Sequence, residues 1–280
     1  MPPGNCLNFV VSINQPRAVP LILLFALIVR VPAEARRTVT TSPAVTELLF
    51  QLGLGGDVVG TVEWSDYPEA ARKVPRVGPL AFPGLEAILR RRPAVVVFDE
   101  TQPSPDWSAP LTRANITTVR WRPTSVSKFF ASTKSLLNAL EAPPAAAEKL
   151  QRWEDEWTRR ATTCAATDRV LLLAATDPAI AFGAETFLVD AFRELGFRPV
   201  MPGSLSGFAA VGPDWLRANP FDRAFWIDFR GPSPVTSLRR LVGSAAKLEG
   251  LDADIFSRPG WTALVALLQR FCPEATHAAE

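Results

Sequence analysis

Over residues 36–100 short apolar runs alternate with short amphipathic ones, and the breaks between them carry glycine or proline. T-V-T-T at 38–41 has the β-branched character of a strand. Ser42 then offers an N-cap, and Pro43 suits the first helical position. A-V-T-E-L-L-F-Q-L reads as a helix stopped at Gly53. D-V-V-G-T is a second strand, 85–92 a second helix, and 94–98 a buried strand. Punctuation of this kind belongs to βαβ units packed around a sheet, so an α/β fold is expected.

The pattern continues and then restarts. Thr117–Trp121 reads as a further strand. Pro143-Pro144 opens A-A-A-E-K-L-Q-R-W-E-D-E-W-T-R-R, in which Leu150, Trp153 and Trp157 recur three and four residues apart. That spacing marks one face of a long helix. From Arg169 onward, R-V-L-L-L-A-A reads as a strand and F-L-V-D-A-F-R-E-L-G-F as a helix ended by Gly196. Residues 223–229 follow as a strand and 261–271 as a closing helix. The run L-E-A-I-L-R-R-R-P-A-V-V-V is echoed by D-W-L-R-A-N-P-F-D-R-A-F-W; each is a helix, a proline and a strand. The expected division is a leader at 1–35, a first α/β lobe at 36–142, a linking helix at 143–167 and a second α/β lobe at 168–280. Two similar lobes suit a ligand cleft between them.

The chain's 280 residues suffice for two modest cores. Its 48% hydrophobic and 21% charged residues are ordinary for a globular protein. A net charge of +2 gives no footprint for nucleic acid. The Arg90-Arg91-Arg92 run stands at a helix end, where cations complement the dipole. The sequence has a single histidine, His277, in the C-P-E-A-T-H-A-A-E tail. It contains no C-x-x-C, H-E-x-x-H, G-x-G-x-x-G, Walker-type loop or G-x-S-x-G. No metal site, cofactor or catalytic constellation is therefore expected.

L-I-L-L-F-A-L-I-V at 21–29 is too short to span a bilayer and fits the apolar region of a signal peptide. Ala33 and Ala35 occupy the small-residue positions, so cleavage after Ala35 is expected and the protein is expected in the periplasm. The preceding segment carries only Arg17 as a side-chain cation. A downstream start codon and an uncleaved anchor therefore stay open. Cys6 precedes the apolar run, so it cannot be a lipobox cysteine, and a lipidated form is not expected. Cleavage leaves Cys164 and Cys272 in an oxidising compartment, and the sequence leaves their pairing open.

The wording is more specific than the pattern. S-P-x-x-T-E-L from Ser42, W-S-D-Y-P from Trp64 and L-E-x-I-L-x-x-x-P-A-V-V-V from Leu85 resemble the periplasmic substrate-binding proteins of ABC importers for vitamin B12 and iron chelates, in that family's order and spacing. The resemblance implies two similar α/β lobes joined by one long rigid helix, and a non-catalytic receptor that passes a small solute to a membrane permease. It is strongest over 36–100, loose beyond Asp168, and nearest to the cobalamin-binding branch. A monomer in solution is expected.

By the same resemblance, Ala44, Trp64, Ile180, Phe208, Asp254 and Arg258 are expected to meet the ligand, and Glu86 and Asp214 to dock on permease arginines. Asp214 stands one residue out of the family's register. From the residues alone, Glu86 also complements a helix start, and Asp254 and Arg258 could form a local pair. Tyr67 is expected to be packed with its hydroxyl bonded. Leu80 and Asp99 replace tryptophans of the relatives, with Phe82 and Phe98 as nearby substitutes, and Ile180 replaces a phenylalanine. The leading ligand is cobalamin or a related corrinoid. A ferric siderophore or haem is the alternative on the same fold, and an exported α/β enzyme or a secreted module with a degenerate cleft are alternatives of other classes.

Overall fold

The computed structural model describes residues 36–273 except 81, 102–105, 204–206, 230–234 and 243–245. The apolar run at 21–29, Ala33, Ala35 and His277 lie outside the described residues. The chain divides into a unit of Met1–Pro32 and a unit of Ala33–Glu280, and the fold below is that of the second. Among the described residues, no helix is long and apolar enough to cross a membrane.

The first lobe runs β1 (Thr38–Thr40), α1 (Pro43–Gln51), β2 (Val58–Gly60), α2 (Leu85–Arg90), β3 (Val95–Asp99), α3 (Ser108–Arg113), β4 (Thr117–Trp121) and α4 (Val126–Ala139). Its strands form a parallel sheet in the order β2-β1-β3-β4. The Ser42 hydroxyl caps α1 by accepting from the Val45 amide at 3.2 Å. Gly53 ends it with φ of +83°, a region that favours glycine. Ser125 caps α4 by accepting from the Lys128 amide at 3.1 Å.

The helix α5 (Pro144–Ala161) leads into the second lobe. There follow β5 (Arg169–Thr176), β6 (Ala179–Phe182), α6 (Phe187–Glu194), β7 (Arg198–Val200), β8 (Phe208–Ala210), α7 (Pro213–Ala218), β9 (Arg223–Asp228), α8 (Val235–Val242), β10 (Lys247–Asp252), α9 (Ala253–Phe256) and α10 (Trp261–Phe271). The sheet order is β10-β9-β5-β6-β8, with β7 also on β5. Strands β10, β9, β5 and β7 are parallel; β6 and β8 add to the sheet antiparallel. Gly196 ends α6 at φ of +91°, and a Cβ there would lie 2.5 Å from the Ala166 carbonyl oxygen. The sequence echo is real in structure: α2 and β3 answer α7 and β9.

Strand alternation distributes the core. Val95 and Val97 of β3, Val170 and Leu172 of β5, and Phe225 and Ile227 of β9 enter one large core. Their neighbours face outward into smaller cores. Val96 and Phe98 pack with Ile88 and Leu111 in the first lobe. Leu171, Leu173 and Trp226 pack with Leu216 and Leu238 in the second. The large core runs through both lobes because Leu150, Trp153 and Trp157 of α5 lie buried inside it. Cys164 and Cys272 form a disulfide, with Cα atoms 5.3 Å apart. It ties the segment after α5 to the end of α10.

Candidate functional site

The strands of a parallel sheet end together, and ligands of open α/β sheets bind outside those carboxyl ends. A hollow of about 470 Å³ lies there, lined by residues of both lobes. Ser42 follows β1, Asp99 closes β3, Phe229 follows β9, and Ala253 follows β10. Ala44, Trp64, Leu80, Asp254 and Arg258 complete most of the wall. Four residues expected from the sequence, Ala44, Trp64, Asp254 and Arg258, thus come together in one place.

Trp64 stands 68% exposed on the loop after β2. Its backbone is left-handed, φ +68°, a strained position for a bulky residue that the surroundings must hold. A buried hydroxyl cluster does so. Thr40 Oγ1 lies 2.6 Å from Thr46 Oγ1, which lies 2.6 Å from Thr61 Oγ1. Thr61 donates to Ser65 at 2.8 Å. Arg76 adds bonds to the Ser65 carbonyl at 3.0 Å and the Asp66 carboxylate at 2.9 Å. The residues flanking Trp64 are anchored and its ring is presented to the hollow. Sequence reasoning missed this cluster, since its four hydroxyls come from a strand, a helix and a loop.

Asp99 is the buried carboxylic acid of the hollow, 2% exposed. One carboxylate oxygen accepts from the Thr101 amide at 2.9 Å and the Thr101 hydroxyl at 2.6 Å. Burial pushes its carboxyl above the ordinary aspartate range, against the pull of the hydrogen bonds from Thr101 and Ser42. Arg258 stands on the loop between α9 and α10, and its Nη1 lies 3.4 Å from Glu47 Oε2 of α1. A local pair with Asp254, one of the two readings the sequence left open, is therefore not what anchors the guanidinium; its ion partner comes from the other lobe.

A second hollow of about 260 Å³ shares Ser257 and Pro259 with the first. Thr101, Arg122 and Thr124 line it from the first lobe, and Phe182, Glu185 and Phe208 from the second. Phe208 packs on Phe182 with centroids 5.1 Å apart. Ile180 lies on β6 in register with Ala210 and lines neither hollow. Two further expectations are corrected. Phe98 is a core residue, because alternation on β3 turns it away when Asp99 faces the hollow. Tyr67 is 52% exposed, with no hydrogen bond from its hydroxyl among the described residues, since its loop carries it out to solvent. Of the substitutes for lost aromatics, Phe82 is exposed near the hollow's edge in sequence, and Leu80 itself lines the wall.

Glu86 and Asp214 lie in the first turns of α2 and α7, the two helices of the echo. Their side chains are 92% and 97% exposed. Each has an arginine of its own helix beside it, Arg90 at 3.9 Å and Arg217 in direct contact. Among the described residues, no group of three histidines, cysteines, aspartates or glutamates could hold a metal ion.

Comparison with known proteins fits this geometry. A vitamin B12-binding protein of Yersinia pseudotuberculosis is 35% identical over 82 residues, which is 29% of this chain and 29% of that protein. The match thus spans less than a third of the curated relative's length. The periplasmic vitamin B12 binding protein BtuF of Vibrio cholerae has the same fold, with a TM-score of 0.72 at 19% identity, covering 85% of this chain and 95% of that one. The periplasmic heme-binding protein RhuT from Roseiflexus sp. RS-1 does too, with a TM-score of 0.70 at 22% identity, covering 84% and 96%. The periplasmic binding protein family is matched over residues 38–269, a stretch that includes both sheets and the helix between them, and the chain belongs to that family of binding proteins rather than to any family of enzymes.

Proposed function

We propose that this chain is the exported solute receptor of an ABC importer, which captures cobalamin or a related corrinoid in its cleft and delivers it to the membrane permease. The first hollow carries the reading. A corrin is broad, largely apolar on its faces and rimmed by amides, so it wants aromatic platforms and a few hydrogen-bonding groups. Trp64, Leu80 and Phe229 offer the apolar surface; Ser42, Asp254 and Arg258 offer polar groups at its edge. Phe208 extends the apolar surface into the second hollow. The curated relatives matched by sequence point the same way. In this reading the leader at 1–35 is removed on export, the receptor works as a monomer without a cofactor, and Glu86 and Asp214 meet arginines of the permease.

Haem is the second reading, and a haem-binding protein does share the fold. Haem iron takes an axial His, Cys, Met or Tyr. Among the described residues none of these lines either hollow. Tyr67, three residues after Trp64 and exposed, is the side chain that favours haem. Titration of the mature protein with cyanocobalamin and with hemin decides. One-to-one calorimetric binding of cyanocobalamin is expected. No heat with cyanocobalamin, together with a Soret shift on adding hemin that Tyr67→Phe abolishes, would replace the corrinoid by haem.

A further inference from the structure

Arg258 is the cation of the first hollow, yet it stands on a loop. An arginine side chain loses much rotamer freedom when fixed. Something must hold it if it is to meet a solute at little further cost. Glu47 does, from the opposite lobe. It is 7% exposed on α1. Its Oε2 faces Arg258 Nη1 at 3.4 Å. Its Oε1 accepts from the Thr262 hydroxyl of α10 and from Gln51 Nε2 at 3.1 Å. Gln51 Nε2 also donates to Thr262 Oγ1 at 2.7 Å. Both carboxylate oxygens are thus engaged, and two of the three partners belong to the second lobe.

A buried ion pair is a weak source of stability, and an apolar side chain often serves a core as well. What an apolar residue on α1 could not do is hold a guanidinium. We propose that Glu47 is a positioning residue for solute capture: it reaches across the lobe boundary, fixes Arg258 at the cleft wall, and leaves that guanidinium's other donors for an oxygen on the solute's rim. A guanidinium has five N–H donors. Among the described residues only Nη1 is engaged. The inference rests on reading the first hollow as the solute site, and it names a residue that itself stands behind the wall.

A double-mutant cycle tests it. Glu47→Gln, Arg258→Ala and the double variant are compared by calorimetric Kd for cyanocobalamin, or for hemin if that is what the unaltered protein takes. Glu47→Gln is expected to weaken binding about tenfold alone and less than about twofold once Arg258 is gone, because contacts that act through one another do not add. Thr262→Val, which strips one donor from the carboxylate, is expected to lose a smaller factor, again only while Arg258 is present, and stands in if Glu47→Gln does not fold. Equal losses in both backgrounds, or no loss, overturn the proposal. Nitrogen-15 NMR of the ligand-free protein gives a second readout: the Arg258 guanidinium rotates slowly in the unaltered protein and freely in Glu47→Gln. Unchanged rotation also overturns it. A protein that takes neither ligand sinks the corrinoid reading but leaves this second readout intact, so the two failures are told apart.

Discussion

Trp153 on α5 stacks on Trp261 at the first turn of α10, with ring centroids 5.3 Å apart and planes 9° from parallel. Lys149 lies 5.7 Å from the Trp153 ring centroid. The stack binds the joining helix to the last helix of the second lobe, which a rigid connection requires. Trp153→Ala removes a large, 8% exposed aromatic. A loss of about 3–5 kcal/mol of unfolding free energy is expected, from lost transfer and from the cavity left behind. Urea unfolding measures it, and an unchanged midpoint would show that the stack carries no weight.

Trp64→Ala should behave in the opposite manner. The ring is mostly exposed, and the buried hydroxyls behind it hold the loop without it. The melting temperature should therefore stay near that of the unaltered protein. Cyanocobalamin binding should weaken by about 1–3 kcal/mol, the scale for losing a large aromatic contact. Normal binding by a folded variant would remove Trp64 from the solute site.

These two tryptophans also show what the sequence displayed and what it hid. The 150, 153, 157 spacing announced a buried helical face, and the face is buried. β3 was legible because alternate valines bury on both sides of a covered sheet. α4 carried the signals of a helix, a Ser125 cap and apolar positions 126, 129, 130, 136 and 137, with Thr133 buried on the same face, but its serines and threonines obscured them. β10 had no legible pattern. K-L-E-G-L-D neither alternates nor runs apolar, and it becomes a strand through register with β9, from Lys247 opposite Arg223 to Asp252 opposite Asp228. At the cleft, Trp64 was visible as an aromatic in a motif. Glu47 was not visible as Arg258's partner, because the two lie 211 residues apart. Asp99 drew notice only as a missing tryptophan, and in the fold it is a buried carboxyl group at the site.

That burial has a pH signature. Desolvation raises the Asp99 carboxyl above the ordinary range. The folded state therefore holds this proton more tightly than the unfolded state. The stability it contributes is complete below the unfolded pKa and is lost as pH rises through the higher folded one. Asp99→Asn keeps an oxygen to accept from Thr101 and removes the titration. The variant should match the unaltered protein in acid and gain on it as pH climbs past the ordinary aspartate range. Thermal melts across pH measure the difference, and a difference that does not change with pH would refute the assignment.

Glu86 and Asp214 raise a question that solution binding cannot answer. Each opens one of the paired helices, each is almost fully exposed, and each has its own arginine beside it. An exposed pair of this kind adds little to stability, so neither charge is needed by the fold. Neither lines a hollow. If they meet permease arginines, reversing one charge turns an attraction into a repulsion at the interface. Glu86→Arg should lower uptake into permease-containing vesicles by at least about tenfold while cyanocobalamin affinity and melting temperature stay put. Asp214→Arg should do less, since its place one residue out of register leaves it farther from an ideal partner. Full uptake by Glu86→Arg would remove the docking role. A matching loss of affinity in solution would instead place Glu86 at the solute, where the present geometry does not put it.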